Sequence, residues 1–197
     1  MTTALIIVDM QNDFLPGGAL AVAGGDIIIP EINRLAIEYD LVVATQDWHP
    51  HNHGSFASQH EGARPFDMGQ LGGMPQVMWP DHCVQGSFGA DLSRELDQER
   101  VEAIFRKGMN PEIDSYSAFF DNGKLKATGL EGYLRGSGVT EVHICGLAAD
   151  YCVWYTAKDA IELGFEAVIM VDAVKAINPE EFEKIKQEFS GLGGKLM

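Results

Sequence analysis

Three side chains in this 197-residue sequence could together break an amide bond: the thiol of Cys152, the carboxylate of Asp9 and the ammonium of Lys107. Cys152 closes Gly146-Leu147-Ala148-Ala149-Asp150-Tyr151-Cys152, a polar turn behind the apolar run 142–145 and ahead of a helical stretch. A thiol at a helix N-terminus faces the positive end of the dipole, which favours the thiolate, and N–H groups in such a turn can hold an oxyanion. A cysteine nucleophile needs a base. Asp9 directly follows the apolar run 4–8, where partial desolvation raises a carboxylate's affinity for protons. Lys107, behind the weaker apolar run 101–105, offers a fixed positive charge between the two. Each residue has a plainer alternative: a packed thiol, a hydrogen-bonded strand end, a solvated lysine. His143 lies closer in sequence to Cys152 but sits inside an apolar run, as a packed strand residue would.

A second group is made of histidines. Five of the six, His49, His51, His53, His60 and His82, fall in one third of the chain. In Asp47-Trp48-His49 the carboxylate and imidazole are two residues apart, so an extended backbone points both the same way. With His82 arriving from further along, two histidines and one aspartate suit zinc, iron or manganese, leaving positions open for water or a substrate nitrogen. His51 and His60 lack a usefully spaced carboxylate, His53 is a possible fourth ligand, and Cys83 reads as a buried structural thiol. A histidine-rich solvated loop is the alternative.

These residues need elements to bring them together. The runs 4–8, 41–44, 142–145 and 167–171, with 101–105 as a weaker fifth, are apolar on consecutive positions. That pattern suits strands of a parallel sheet buried on both faces. Helical stretches at 27–38, 153–163 and 179–189 alternate with them, the last behind Asn178-Pro179, a cap followed by Pro at the first helical position. The expectation is an α/β fold: a three-layer α/β/α sandwich with a mostly parallel central sheet, in one domain over 1–197. Residues 45–91 fit neither pattern and are expected to form a metal-binding loop insertion. The C-terminal nine residues suit either a last short strand or a frayed end. Ligands in such sheets sit beyond the carboxyl ends of the strands, where Asp9, Asp47, Lys107 and Cys152 all fall.

Bulk properties narrow the partners. A formal charge of −15 disfavours phosphate backbones and anionic membranes. No segment has about 18 consecutive apolar residues. Three cysteines and no basic leader point to a reducing cytoplasm rather than a disulfide framework. Composition leaves open whether the chain is a monomer or a homo-oligomer.

The blocks 4–14 with Pro16-Gly17-Gly18-Ala19-Leu20, 45–56, Trp79-Pro80-Asp81-His82-Cys83, Lys107-Gly108, Tyr116-Ser117-Ala118-Phe119 and 146–153 resemble, in order and spacing, the nicotinamidases (pyrazinamidases) of the isochorismatase-like cysteine hydrolase superfamily. The resemblance spans nearly the whole chain. It implies a triad of Asp9, Lys107 and Cys152, and a divalent metal on Asp47, His49 and His82. It implies a cis peptide before Ala148, an oxyanion hole from the N–H groups of Ala148 and Cys152, and pocket walls from Phe14, Trp79 and Tyr116. Ala149 departs from the family's usual threonine. The implied reaction is hydrolysis of nicotinamide to nicotinic acid and ammonia through a thioester, with activity on pyrazinamide and a place in NAD salvage. Isochorismatases and carbamoyl amidases are the rivals within the superfamily, and a non-catalytic metal-binding or redox protein the rival outside it. The Asp47-x-His49 and His82 pattern argues against the first two, and Asp9 with Lys107 at strand ends against the last.

Overall fold

The structure is a computed structural model and describes residues 2–197. Its eight strands are β1 (Thr2–Val8), β2 (Leu41–Asp47), β3 (Met68–Leu71), β4 (Met74–Val77), β5 (Ala103–Lys107), β6 (Val139–Leu147), β7 (Glu166–Lys175) and β8 (Lys195–Leu196). Its α-helices are α1 (Ile29–Ala36), α2 (Leu130–Gly136), α3 (Trp154–Glu162) and α4 (Pro179–Gly191). Six strands form one sheet in the order β5-β2-β1-β6-β7-β8, and every neighbouring pair is parallel. β3 and β4 form a separate antiparallel hairpin.

Continuous apolarity in the central strands has its expected cause. On β1, Ala4, Ile6 and Val8 join the core on one face of the sheet, while Leu5 and Ile7 join the core on the other. Burying each Leu, Ile or Val contributes roughly 1.5–3 kcal/mol, and with both faces covered no position on the strand is spared for polar residues. Helices α2, α3 and α4 cover the first face through Leu130, Leu134, Trp154, Ala157, Ile185 and Phe189. The other face is covered by α1, through Ile29, Ile32, Leu35 and Ala36, and by the long segment after β2, through Trp79, Cys83, Leu92 and Leu96. The result is the three-layer α/β/α sandwich expected from the sequence.

Local signals explain most boundaries. Asn178 caps α4, its side-chain oxygen accepting from the N–H groups of Glu180 and Glu181, with Pro179 opening the helix. α1 covers 29–36 of the expected 27–38, opening with Pro30 in its first turn and ending before the exposed Ile37. β5 spans 103–107 rather than 101–105. It is an edge strand whose burial alternates, so its apolar run marks it poorly. The C-terminal residues pair with β7 as β8.

The segment after β2 is ordered by pairing with itself. His49 donates its N–H to the Cys83 carbonyl and its own carbonyl accepts from Gln85. Trp79 donates to Ser55 O and its carbonyl accepts from Ala57. These two short parallel bridges bring residues 79–85 alongside 49–57, and so bring His82 beside His49.

Candidate active site

All the strand ends that matter meet on one rim. β1 and β6 run in register to Val8 opposite Gly146, and β2 and β5 to Asp47 opposite Lys107. Asp9 follows directly, with positive φ, and its N–H and carboxylate are both held by the Thr45 hydroxyl, at 3.1 and 2.6 Å. Gly146, also at positive φ, lies so close to β1 that a Cβ on it would stand 2.1 Å from Val8 O. The Leu147–Ala148 peptide is cis. The chain then enters a wide helical turn, Ala149–Val153, which carries Cys152 before α3 begins. Cys152 therefore lies inside this turn rather than on the first residue of the α-helix.

Lys107 Nζ is the hub. It lies 2.9 Å from Asp9 Oδ2, 3.1 Å from Asp47 Oδ1, 3.0 Å from Ser115 O and 3.5 Å from Cys152 Sγ. None of these side chains is more than 7% exposed. Burial pulls the Lys107 ammonium toward neutrality, but Asp47 and Asp9 outweigh it and hold its pKa well above the ordinary value. Burial raises the pKa of Asp9 despite Lys107. Burial also raises the Cys152 thiol, Lys107 opposes that rise, and the carboxylates of Asp9 and Asp47 reinforce it. At this buried site desolvation acts against the charged thiolate that a helix dipole would favour.

The histidines sort cleanly. His49 Nε2 is 2.9 Å and His82 Nε2 3.4 Å from Asp47 Oδ2. Each ring donates its Nδ1–H to a backbone carbonyl, His49 to Gly108 and His82 to Pro80. Both Nε2 atoms thus converge on one buried carboxylate oxygen, where burial pulls the His49 pKa down but Asp47 outweighs it and raises it, and a bound cation would take the place of the ring proton. Asp47 Oδ1 is paired with the Lys107 ammonium, which leaves Oδ2 to the histidines, and the three donor residues offer atoms within 4.8 Å of one another. The set fits a divalent metal.

His53 differs. Its Nδ1 is held by Ser55, 3.2 Å from the N–H and 2.7 Å from Oγ, its Nε2 is buried without a partner, and with His49 and Asp114 it forms a second group of possible metal donors. Burial and the neighbouring His49 lower its pKa to about 4, which keeps it neutral. His60 binds the Gly54 carbonyl and His51 is exposed. His143 sits in the strand, between Tyr39 and Glu141, far from the rim. Cys83 and Cys145 are fully buried free thiols.

Cys152, Asp47 and His82 open onto one narrow pocket walled by Phe14, Trp79 and Tyr116, with Leu20, Asp114, Tyr151 and Ile177 completing it. The first three walls were expected. Of the last four, Leu20 and Tyr151 lie in blocks already singled out for other reasons, while Asp114 and Ile177 come from segments with no periodicity or reactive spacing to mark them. Trp79 meets Tyr116 and Tyr151 edge-on, at 6.3 and 5.0 Å between ring centroids. Gln76, on the hairpin, donates to Asp114 and to the Tyr116 hydroxyl. A larger concavity of about 640 Å³ lies at the opposite end of the sheet, around Thr2, Tyr39 and His143, and holds none of these residues.

Comparison with known proteins agrees with this geometry. The isochorismatase domain model matches residues 3–197. The Escherichia coli nicotinamidase is 48% identical over 200 residues, covering 98% of this chain and 93% of that protein. An Acinetobacter baumanii nicotinamidase/pyrazinamidase structure superposes with a TM-score of 0.96 at 44% identity, covering all of this chain and 95% of the other. The Pyrococcus horikoshii pyrazinamidase, solved in complex with zinc, superposes at 0.82 with 41% identity, covering all of this chain and 99% of the other. The chain belongs to the isochorismatase family.

Proposed function

We infer that this protein is an amidohydrolase that converts nicotinamide to nicotinic acid and ammonia, and that it accepts pyrazinamide as well. The observation that carries this reading is one cavity with two chemistries. The Cys152 sulfur, in contact with Lys107 and through it with Asp9, faces the same pocket as Asp47 and His82.

The proposed reaction begins with transfer of the Cys152 thiol proton to Asp9. The sulfur attacks the carboxamide carbon, and the carbonyl π pair moves onto oxygen. The N–H groups of Ala148 and Cys152 are assigned to that oxyanion, each contributing about 3–4 kcal/mol. Asp9 returns its proton to the amide nitrogen, ammonia leaves, and a thioester remains. Asp9 then takes a proton from water, hydroxide adds to the thioester carbon, the C–S bond breaks, and Asp9 returns the proton to sulfur, so that nicotinic acid leaves and the Cys152 thiol is regenerated. Lys107 keeps a positive charge between carboxylate and sulfur throughout, which lowers their repulsion.

Asp47, His49 and His82 are the proposed ligands of a divalent cation, zinc, iron or manganese, which supplies a Lewis-acidic position for the pyridine nitrogen and so orients the ring. His53 is left out of the set, because the donors that converge on the Asp47 carboxylate are His49 and His82. Phe14, Trp79 and Tyr116 are assigned to the faces and edge of the ring. Release of nicotinic acid suits a role in NAD salvage, and three unpaired thiols suit a cytoplasmic setting.

Cys152→Ala should abolish ammonia release while the purified protein still binds one equivalent of zinc. Substantial residual hydrolysis in that variant would overturn covalent catalysis.

A further inference from the structure

We propose that Gln11 is the positioning residue that locks the metal-ligand carboxylate to the catalytic one, through a side-chain amide that stands in for a missing peptide. The inference rests on the ligand set above and adds to it the device that holds Asp47 in place.

The ladder between β1 and β2 ends at Ile7 opposite Ala44. Beyond it β1 turns away, with Asp9 at positive φ. Asp47 lies three residues further along β2, where no β1 backbone faces it. Unpaired buried peptide groups cost roughly 1–3 kcal/mol each, so the gap must be filled. Gln11 fills it. Its Oε1 accepts from the Asp47 N–H at 2.8 Å. Its Nε2 donates to the Asp47 carbonyl at 2.8 Å and to the Ala90 carbonyl at 2.8 Å. The two-point contact with Asp47 copies a strand pair.

The other end of Gln11 is equally fixed. Its N–H donates to the Asp9 carbonyl at 2.7 Å, and its backbone bridges to Leu92. One fully buried residue thus ties the base, the backbone of a metal ligand and the segment returning from His82. Both hydrogen-bonding functions of the amide are used. Glutamate would set a carboxylate against two carbonyl oxygens, and methionine, of similar shape, would make none of the three bonds. Because a cation requires its donors within a few tenths of an ångström, loss of the clamp should show at the metal before it shows in the fold.

The test uses metal-free protein titrated with cobalt and with zinc. Wild type, Gln11→Met and Gln11→Glu are compared with Ile32→Val, a core change on α1 remote from the rim. Two readouts are taken: zinc affinity by chelator competition, and the visible spectrum of the cobalt-loaded protein. Both Gln11 variants should bind zinc at least about 10-fold more weakly and show an altered cobalt spectrum at a temperature where circular dichroism shows them still folded, while Ile32→Val matches wild type in both readouts. Wild-type affinity and spectrum in a folded Gln11→Met protein would overturn the proposal. So would failure of both variants to fold, since Gln11 would then be a requirement of the core. If wild type itself binds neither metal, the ligand set fails instead.

Discussion

At the scale of single residues, the division of labour among Asp9, Lys107 and Cys152 follows from what each does to its neighbours' protons. Asp9 raises the Cys152 thiol by its charge and Lys107 lowers it. Removing the Asp9 charge with Asp9→Asn should therefore make the thiol more acidic while removing the group that accepts its proton. The expected result is a split: turnover falls by about 10²–10⁴-fold, yet the pH midpoint for alkylation of Cys152 by a small neutral electrophile moves down. A thiol whose midpoint stays put or rises would mean that Asp9 does not act on it. The histidines give a second contrast. His82→Ala deletes a proposed ligand and should weaken zinc binding by more than about 100-fold, beyond the 10–100-fold of lost outer-sphere partners. His53→Asn should stay within about 10-fold, since the donors that converge on the Asp47 carboxylate are His49 and His82. Equal losses, read by chelator competition, would place His53 among the ligands.

At the scale of elements, the close contact of β1 with β6 carries the geometry. Gly146 has no room for a Cβ against Val8 O, and its φ of 107° suits only glycine. Gly146→Ala should push the two strands apart where Asp9 and the Cys152 turn leave them. We expect a loss of more than about 4 kcal/mol in chemical denaturation, with activity lost even at temperatures where the variant remains folded. Near-native activity in a folded variant would show that the spacing is not critical. The elements themselves were unequally legible. Strands buried on both faces are marked by runs such as Ala4 to Val8, and Asn178-Pro179 announces α4. The hairpin of β3 and β4 was missed, although Gly72-Gly73 between two short segments is a two-residue turn signal. Its strands are only half-buried, so neither alternation nor apolarity drew attention to them. α2 was also missed, because two glycines dilute its seven residues. Gln11 lies in the block 4–14 but nothing in its type or spacing gave it a role, and Gln76 lies in no block at all. A glutamine that completes someone else's backbone is recognisable only after the chain is folded.

At the scale of the whole molecule, the cation is expected to act as a staple. Asp47 belongs to the sheet, while His82 belongs to a loop segment held to residues 49–57 by two short bridges and to the sheet by the packing of Trp79, Cys83 and Leu92. A metal that binds the folded site alone stabilises the protein by RT ln(1 + [L]/Kd), about 4 kcal/mol when the free ion is at roughly 1,000 times its dissociation constant. For a chain of this size each kcal/mol is worth about 2–4 °C, so chelation should lower the melting temperature by about 8–16 °C. Hydrogen exchange should locate the loss: amides near residues 79–90 lose protection first, and those of β1 and β6 stay protected. The formal charge of −15 bears on the kinetics. A strongly acidic molecule draws divalent cations toward it, so metal uptake should slow as ionic strength rises. Cys152→Ala should show the same thermal shift as wild type, since sulfur is outside the ligand set. A melting temperature indifferent to zinc in both proteins would mean that Asp47, His49 and His82 are held together by protons and backbone alone, and the orientation of the ring would then have to come from the aromatic walls.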